Sequence, residues 1–357
     1  MQACRWIKTH IAGFGGDSNN VTVAGNSAGA IALSTILCAD IGEDSLLERV
    51  LLMSGEATVR KPRTSHWHQR MYKDQLRYLG IDKPDTATQR SSLLGTDAQE
   101  LAEKLPPLQH YCAHIDGAWL KEDVTTTVMA DGHRAEHKPT WCKEFVIGDA
   151  QYDGTVVKAK ILDRPDAFDR LRSACQKHLK PSETASLLNA YGLSDTAPGA
   201  QVRDGMCLIF SEMRFYFPAL TALQGWRSAS PVKRADRYHF HIPNPFDGMF
   251  KGIASHELDV TYLLQNFREH FDQSDRNIAN QMTDRVVGFV NGDGWTKPGS
   301  VVVFGEEGVK EIPEGDYDQM NRSGRGRLLE RIGHARLWNV AEAWMGVRSE
   351  GGERAKI

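Results

Sequence analysis

A chain of 357 residues with 41% hydrophobic and 25% charged residues is long and apolar enough for a sizeable core, which excludes disordered, collagen-like and coiled-coil chains. Forty-three Lys plus Arg against 46 Asp plus Glu leave a formal charge of −3, too balanced for the basic footprint that neutralises a phosphate backbone, so nucleic acid is not an expected partner. The six cysteines, Cys4, Cys38, Cys112, Cys142, Cys175 and Cys207, are scattered without a C-x-x-C pair, which speaks against a zinc site and against a disulfide framework.

Ala3, Trp6, Ile7 and Ile11 recur at helical spacing and predict an amphipathic helix over residues 1 to about 12, stopped by Gly13, Gly15 and Gly16. Arg5 and Lys8 interrupt that stretch, so it does not read as a signal peptide. Val21-Thr22-Val23-Ala24 predicts a strand buried on both faces, and Ala28 to Cys38 a buried helix. The uncharged run Val21 to Ala39 approaches membrane-span length, but Asn26, Ser27, Ser34 and Thr35 with Gly25 and Gly29 mark it as buried rather than spanning. Further strands are predicted at Val50 to Met53, ending at Ser54-Gly55, at Glu144 to Ile147 before Gly148, and at Tyr238 to Ile242. Polar helical stretches fill roughly 62–105 and 165–230, and Asn321 to Arg327, with Gly324 and Gly326, is expected to be a mobile surface loop. Strands separated by helices imply a mostly parallel sheet.

Gly25-Asn26-Ser27-Ala28-Gly29 fits G-x-S-x-G directly after a buried strand and before a helix, the setting a nucleophile elbow requires. Such a turn strains its central residue, so Gly25 and Gly29 are expected to lack side chains to avoid clashes while Ser27 is pushed out above the sheet. The helix after Ser27 brings its N-terminal dipole and the Ala28 N–H to the place where an oxyanion would form. A serine hydroxyl is a poor nucleophile at neutral pH, so a histidine base and an orienting acid are expected later in the chain, acid first. Asp153 follows the third strand and His256 follows the fourth, in that order.

These residues resemble the type B carboxylesterases, the cholinesterase-like branch of the α/β-hydrolase fold. Trp6-Ile7, Phe14-Gly15-Gly16-Asp17, Asn20-Val21-Thr22 and Gly25-Asn26-Ser27-Ala28-Gly29-Ala30 resemble the family's nucleophile signature. Leu51 to Gly55 is similar to the strand that ends in Q-S-G, Gly148 to Gly154 to the acid loop G-x-x-x-D-E-G, and His256 to Leu263 to H-x-x-[DE]-x-x-[YF], with Asp259 and Tyr262 in place. The resemblance implies an α/β-hydrolase sheet flanked by helices, with Ser27 as nucleophile, His256 as general base and then acid, Asp153 as the carboxylate that fixes the imidazole, and Ala28 as an oxyanion-hole donor. Asp stands where the family usually has Glu, so Asp149 stays a rival acid; Asn26 replaces the usual Glu before the nucleophile, and Ser18 a Pro. The family's His-Gly-Gly-Gly loop, which supplies the remaining oxyanion donors, has no counterpart upstream of the elbow.

The expectation is therefore a single α/β-hydrolase domain over 1–357, N-terminally incomplete and lacking the early strands, with 62–105 and 165–230 as helical insertions or cap regions. Val21 to Ala24 would then be an exposed apolar edge. The expected function is hydrolysis of small-molecule carboxylic esters through a Ser-His-Asp acyl-enzyme mechanism without metal or organic cofactor, weakened by the missing oxyanion loop. The alternatives are a non-catalytic cholinesterase-like binding protein or a fragment of a gene model. His66-x-His68, His239-x-His241 and the pair His133 and His137 lack an evident third metal ligand and read as core or surface histidines. Glu257 and Asp259 follow the base instead of preceding it, and are expected to hold the loop. Trp119, Phe215, Phe217, Trp226 and Phe250 could line an acyl pocket, although most aromatics are core. Compartment, oligomeric state and the identity of the ester are not legible in the sequence.

Overall fold

The computed structural model describes residues 1–42, 47–106, 111–133, 138–229 and 234–346, so His137 lies outside the described residues. Six strands, β1 (Thr22–Asn26), β2 (Arg49–Met53), β3 (Glu144–Ala150), β4 (Arg234–Phe240), β5 (Ser300–Gly305) and β6 (Gly308–Pro313), form one sheet in chain order. The first five are parallel, and β6 turns back antiparallel on β5 through a hairpin at Glu306-Glu307. Parallel neighbours need long crossovers, which the helical stretches between the strands provide.

The interior strands carry Val50, Leu51, Leu52 and Met53 on β2 and Phe145, Val146 and Ile147 on β3, all buried, as residues with helices on both faces must be. Strand β1 lacks the burial on both faces that its residues predict and shows instead the exposed edge expected of this stretch. It stands at the sheet margin with β2 as its strand partner among the described residues, so Thr22 to Asn26 are half-buried and Ala24 is exposed. Strands β5 and β6 were not anticipated, although Val301-Val302-Val303-Phe304 between Gly299 and Gly305 is a β-branched run bounded by turn residues.

Helix α1 (Gln2–His10) lays Cys4 and Ile7 on the core beside β1, while Trp6 faces solvent. Helix α2 (Ala28–Leu37) buries Ala30, Ser34, Thr35 and Leu37 on one face only. The 62–105 stretch resolves into α3 (Ser65–Leu79), α4 (Thr86–Leu94) and α5 (Ala98–Lys104), each opened by a side-chain cap, Thr64, Asp85 and Asp97. A short α6 (Thr126–Ala130) precedes β3. The 165–230 stretch holds α7 (Ala167–His178), α8 (Pro181–Ala190), α9 (Gly199–Ser211) and α10 (Phe217–Arg227), the last two joined by a π turn. Among the described residues the run from Gly199 to Arg227 is long and apolar enough to cross a membrane, but it is mostly buried inside the protein, as a core helix is. After β4 come α11 (Leu258–Leu263) and α12 (Gln273–Asn291), and after β6 come α13 (Glu314–Arg322), α14 (Arg325–Ile332) and α15 (His334–Met345).

The expected loop at Asn321 to Arg327 is instead a tight junction between two helices. Ser323 and Gly324 take left-handed conformations, with φ of 52° and 76°, while Arg322 is buried and reaches Asp149 at 3.2 Å and Glu212 at 2.9 Å. The glycine signalled a turn correctly, but the ion pairs that anchor the arginine come from distant parts of the chain.

Candidate active site

The elbow is built by close backbone contacts. Strand β1 runs through Asn26; Ser27 then takes φ 51° and ψ −116° while its N–H donates to Met53 O at 2.8 Å, and α2 begins at the next residue. A non-glycine residue at positive φ is strained, and the surrounding structure must hold it there. A Cβ on Gly25 would lie 2.6 Å from the Gly29 carbonyl carbon, and one on Gly55 would lie 2.7 Å from Ser27 O. A Cβ on Gly29 would meet nothing within 4 Å, so only part of the expectation about the two elbow glycines holds. Gly25 must be bare because Gly29's backbone crowds it, and the second essential glycine is Gly55 at the end of β2, whose role the Ser54-Gly55 strand end signalled without specifying. Ala28 N–H lies in the first turn of α2, where no intrahelical acceptor exists. The Asn26 Nδ2 beside the serine is buried and has no hydrogen-bond partner among the described residues.

Asp153 opens a 3₁₀ turn, Asp153–Val157, just beyond β3. It is fully buried; one carboxylate oxygen accepts the Ala150 N–H at 3.0 Å and the other meets His256 Nδ1 at 2.7 Å. Gly154 N–H donates to Ser211 Oγ at 2.8 Å, and a Cβ there would lie 2.6 Å from Cys207 O, so α9 presses the turn into shape. The loop after β4 is laced to this turn: Tyr152 N–H donates to Ala254 O at 2.9 Å and His256 N–H to Thr155 Oγ1 at 3.0 Å. Ser27, Asp153 and His256 thus stand beyond the carboxyl ends of β1, β3 and β4, the edge at which open parallel sheets bind ligands. Among the described residues His256 Nε2 is buried with no hydrogen-bond partner, so Ser27 Oγ is not bonded to it here. Burial alone would lower the His256 pKa; the bond and charge of Asp153, with Asp259 and Glu257, outweigh it and hold the imidazole above its ordinary value. Burial pushes Asp153 up, against the pull of its bond to His256.

The rival carboxylates are placed elsewhere. Asp149 lies 3.0 Å from His239 Nδ1 and 3.2 Å from Arg322, away from His256. Glu257 is exposed, and Asp259 accepts the Tyr238 hydroxyl at 2.7 Å. Of the five aromatics, Phe215 faces the His256 ring at 5.4 Å, whereas Phe217 stacks on His334 and Trp226 on Phe145. Trp119 and Phe250 are half-buried and make no ring contact with His256. A cavity of about 460 Å³ opens beside His256, lined also by Asn244, Phe246, Leu258, Thr261 and Phe267. His239 lies on β4 and His241 just beyond its end, with His241 Nε2 against the Tyr317 hydroxyl at 2.9 Å, and among the described residues no group of three or more metal-binding side chains is assembled.

The sequence profile of the carboxylesterase family matches residues 1–306. Lipase 3 of Yarrowia lipolytica is 22% identical over 346 residues, covering 95% of this chain and 64% of that protein. Esterase B1 of Culex pipiens is 33% identical over 303 residues, 75% of this chain and 54% of that one. Among solved structures, a PNB esterase superposes with a TM-score of 0.65 at 18% identity, over 92% of this chain and 67% of its own. The chain thus spans 64% or less of the length of these two curated relatives.

Proposed function

The chain belongs to the carboxylesterase family and has its α/β-hydrolase fold, and on that premise we propose that it hydrolyses carboxylic esters through Ser27, His256 and Asp153. Ser27 Oγ attacks the ester carbonyl while His256 Nε2 takes its proton; His256 then gives that proton to the departing alcohol, leaving an acyl-serine. Water, deprotonated by the same nitrogen, attacks the acyl-serine, and the serine leaves with the proton returned. Asp153 keeps Nδ1 engaged, so that Nε2 is the nitrogen that exchanges protons. Ala28 N–H donates to the oxyanion.

The observation that carries this reading is the buried 2.7 Å bond between Asp153 and His256 Nδ1, with Nε2 unpartnered, at the same sheet edge as the strained Ser27. The 357 residues hold no His-Gly-Gly segment. Each oxyanion donor is worth roughly 10²–10³ in rate, so turnover by these residues alone is expected to be weak. The test is covalent labelling with a fluorophosphonate, which needs only an activated serine. Labelling that disappears in Ser27→Ala supports the assignment. A folded chain that resists labelling overturns it in favour of a non-catalytic binding protein, and one that labels equally well without Ser27 overturns Ser27 as the nucleophile.

A further inference from the structure

The cavity beside His256 has walls that the proton chemistry does not use. Asn244 is pinned to the far end of its loop: its N–H donates to Ile253 O at 3.1 Å and its carbonyl accepts the Gly252 N–H at 2.9 Å. Its side-chain oxygen takes the Phe246 N–H at 2.9 Å and fixes that residue on the lining. The Phe246 ring stacks on buried Phe271 at 5.6 Å and meets Phe267 edge-on at 5.7 Å. Phe267 is the anomaly. It is 59% exposed and takes a left-handed φ of 60°, two residues after Gln265 at φ 54°. A bulky aromatic residue bears two costs there, a strained backbone and an apolar ring left in water. Its neighbours hold the backbone in place. Asn266 N–H donates to Thr261 O at 3.0 Å and His270 N–H to Phe267 O at 2.9 Å, while the Gln265 side-chain amide donates to Asn280 at 3.3 Å and Thr283 at 3.2 Å on α12.

Strain of this kind persists where function requires the geometry, and the place of Phe267 on the cavity wall supplies that requirement. Among the described residues His256 lines the cavity and Ser27 does not. In ester hydrolysis the acyl carbon is bonded to the serine oxygen, whereas the departing alcohol takes its proton from the histidine. A space against the histidine alone therefore holds the alcohol side of the ester. Its volume, about 460 Å³, lies in the range that encloses a group of drug-like size, far more than a methyl or ethyl group fills. Phe246, Phe267 and Leu258 line it with apolar surface, and two rings set edge-on offer a third ring both a face and an edge. Besides His256, the one ionisable side chain on the lining is Glu257, which is exposed. It disfavours an anionic occupant and, being solvated, adds little to the hold on a cation. We propose that Phe267 and Phe246 form a selectivity clamp for esters of bulky, uncharged aromatic alcohols, with Phe267 as the residue that decides for the aryl group. This inference rests on the ester-hydrolase assignment of Ser27, His256 and Asp153.

The test compares benzyl acetate with ethyl acetate, whose alcohols are similar leaving groups, in the full chain and in Phe267→Gly. Glycine takes the left-handed backbone freely, which offsets the lost ring contact, so the melting temperature is expected to stay within about 2 °C of the wild-type value. The benzyl-to-ethyl ratio of kcat/KM is expected to fall about tenfold, the loss of one aromatic contact, with most of the change in KM for the benzyl ester. Phe267→Tyr, which keeps a ring, is expected to retain most of the preference. Benzyl alcohol is expected to slow fluorophosphonate labelling of the wild-type chain and to lose that effect in Phe267→Gly, which reads occupancy of the cavity even where turnover is weak. Phe267→Leu, which removes the ring but keeps apolar bulk, decides the matter in the same way if the glycine variant does not fold. An unchanged ratio of the two esters in the folded variant, or benzyl alcohol that slows labelling of both chains equally, overturns the inference while leaving Ser27 reactive. A wild-type chain that does not label overturns the hydrolase assignment and this inference together.

Discussion

Two buried aspartates four residues apart, Asp149 and Asp153, each pair with a histidine, and the two pairs stand in different surroundings. Asp149 and Asp153 each meet the Nδ1 of a histidine delivered by or just after β4, at 3.0 and 2.7 Å. His239 lies on the strand itself, stacked against Tyr317 at 3.9 Å, and its carboxylate is shared with the guanidinium of Arg322. Burial, with Arg237 and Arg322 nearby, holds the His239 pKa well below its ordinary value, so that ring stays neutral. His256 lies on a loop beside a cavity, and the charges of Asp153, Asp259 and Glu257 hold it above its ordinary value against burial. The contrast teaches that a hydrogen-bonded pair of this kind is not in itself a catalytic device. The two differ in the charge of their neighbours, which holds His239 neutral and raises the pKa of His256.

The largest effect that separates the two pairs is expected in Asp153→Asn, where loss of the carboxylate that fixes the imidazole should lower kcat by about 10⁴ with the fold kept. Steady-state hydrolysis and circular dichroism measure both, and an equal loss in Asp149→Asn would erase the distinction. Arg322→Met strips Asp149 and Glu212 of a buried cation. It is expected to cost about 3–5 kcal/mol in urea denaturation while leaving turnover per folded molecule within a few-fold. A large rate loss without destabilisation would place the Asp149 pair in the chemistry after all.

Smaller effects test the elbow that both pairs leave untouched. Gly55→Ala drives a Cβ against Ser27 O, and an ångström of displacement at the nucleophile is expected to cost about 10² in rate. Gly29→Ala meets open space on an exposed stretch of α2, and replacing a helical glycine is expected to raise stability by about 0.5–1 kcal/mol with activity retained. Thermal unfolding with parallel labelling checks it; loss of labelling would mean that Gly29 is needed for more than the room it makes beside Gly25.

The elbow was legible because all its information is local: a β-branched run, a glycine-flanked serine and an apolar helical stretch lie within twenty residues or so of one another. Asp153 and His256 were nameable through the family resemblance and through their places after two strands, but nothing local distinguished Asp153 from Asp149. Arg322 shows the same limit more sharply. Its neighbours Ser323 and Gly324 are turn residues, and its burial follows from Asp149 and Glu212, far away in sequence. Tyr238 was read as part of a buried strand, and the use of its hydroxyl on Asp259 depends on Gly148 across the sheet. Strand β5 carried a readable signal in its valines that was not taken up, and β6, half exposed with Lys310 and Glu311 outward, carried little.

The sequence by itself determined the alternation of strands and helices and the turn around Ser27, because hydrophobic period and turn chemistry act over a few residues. The tertiary structure alone decided which aspartate meets which histidine. It also decided that Gly55 and not Gly29 must stay bare, and that Asp259 accepts the Tyr238 hydroxyl. Those outcomes rest on contacts between strands whose separation along the chain no local pattern encodes, and on a low dielectric that exists only once the interior has closed.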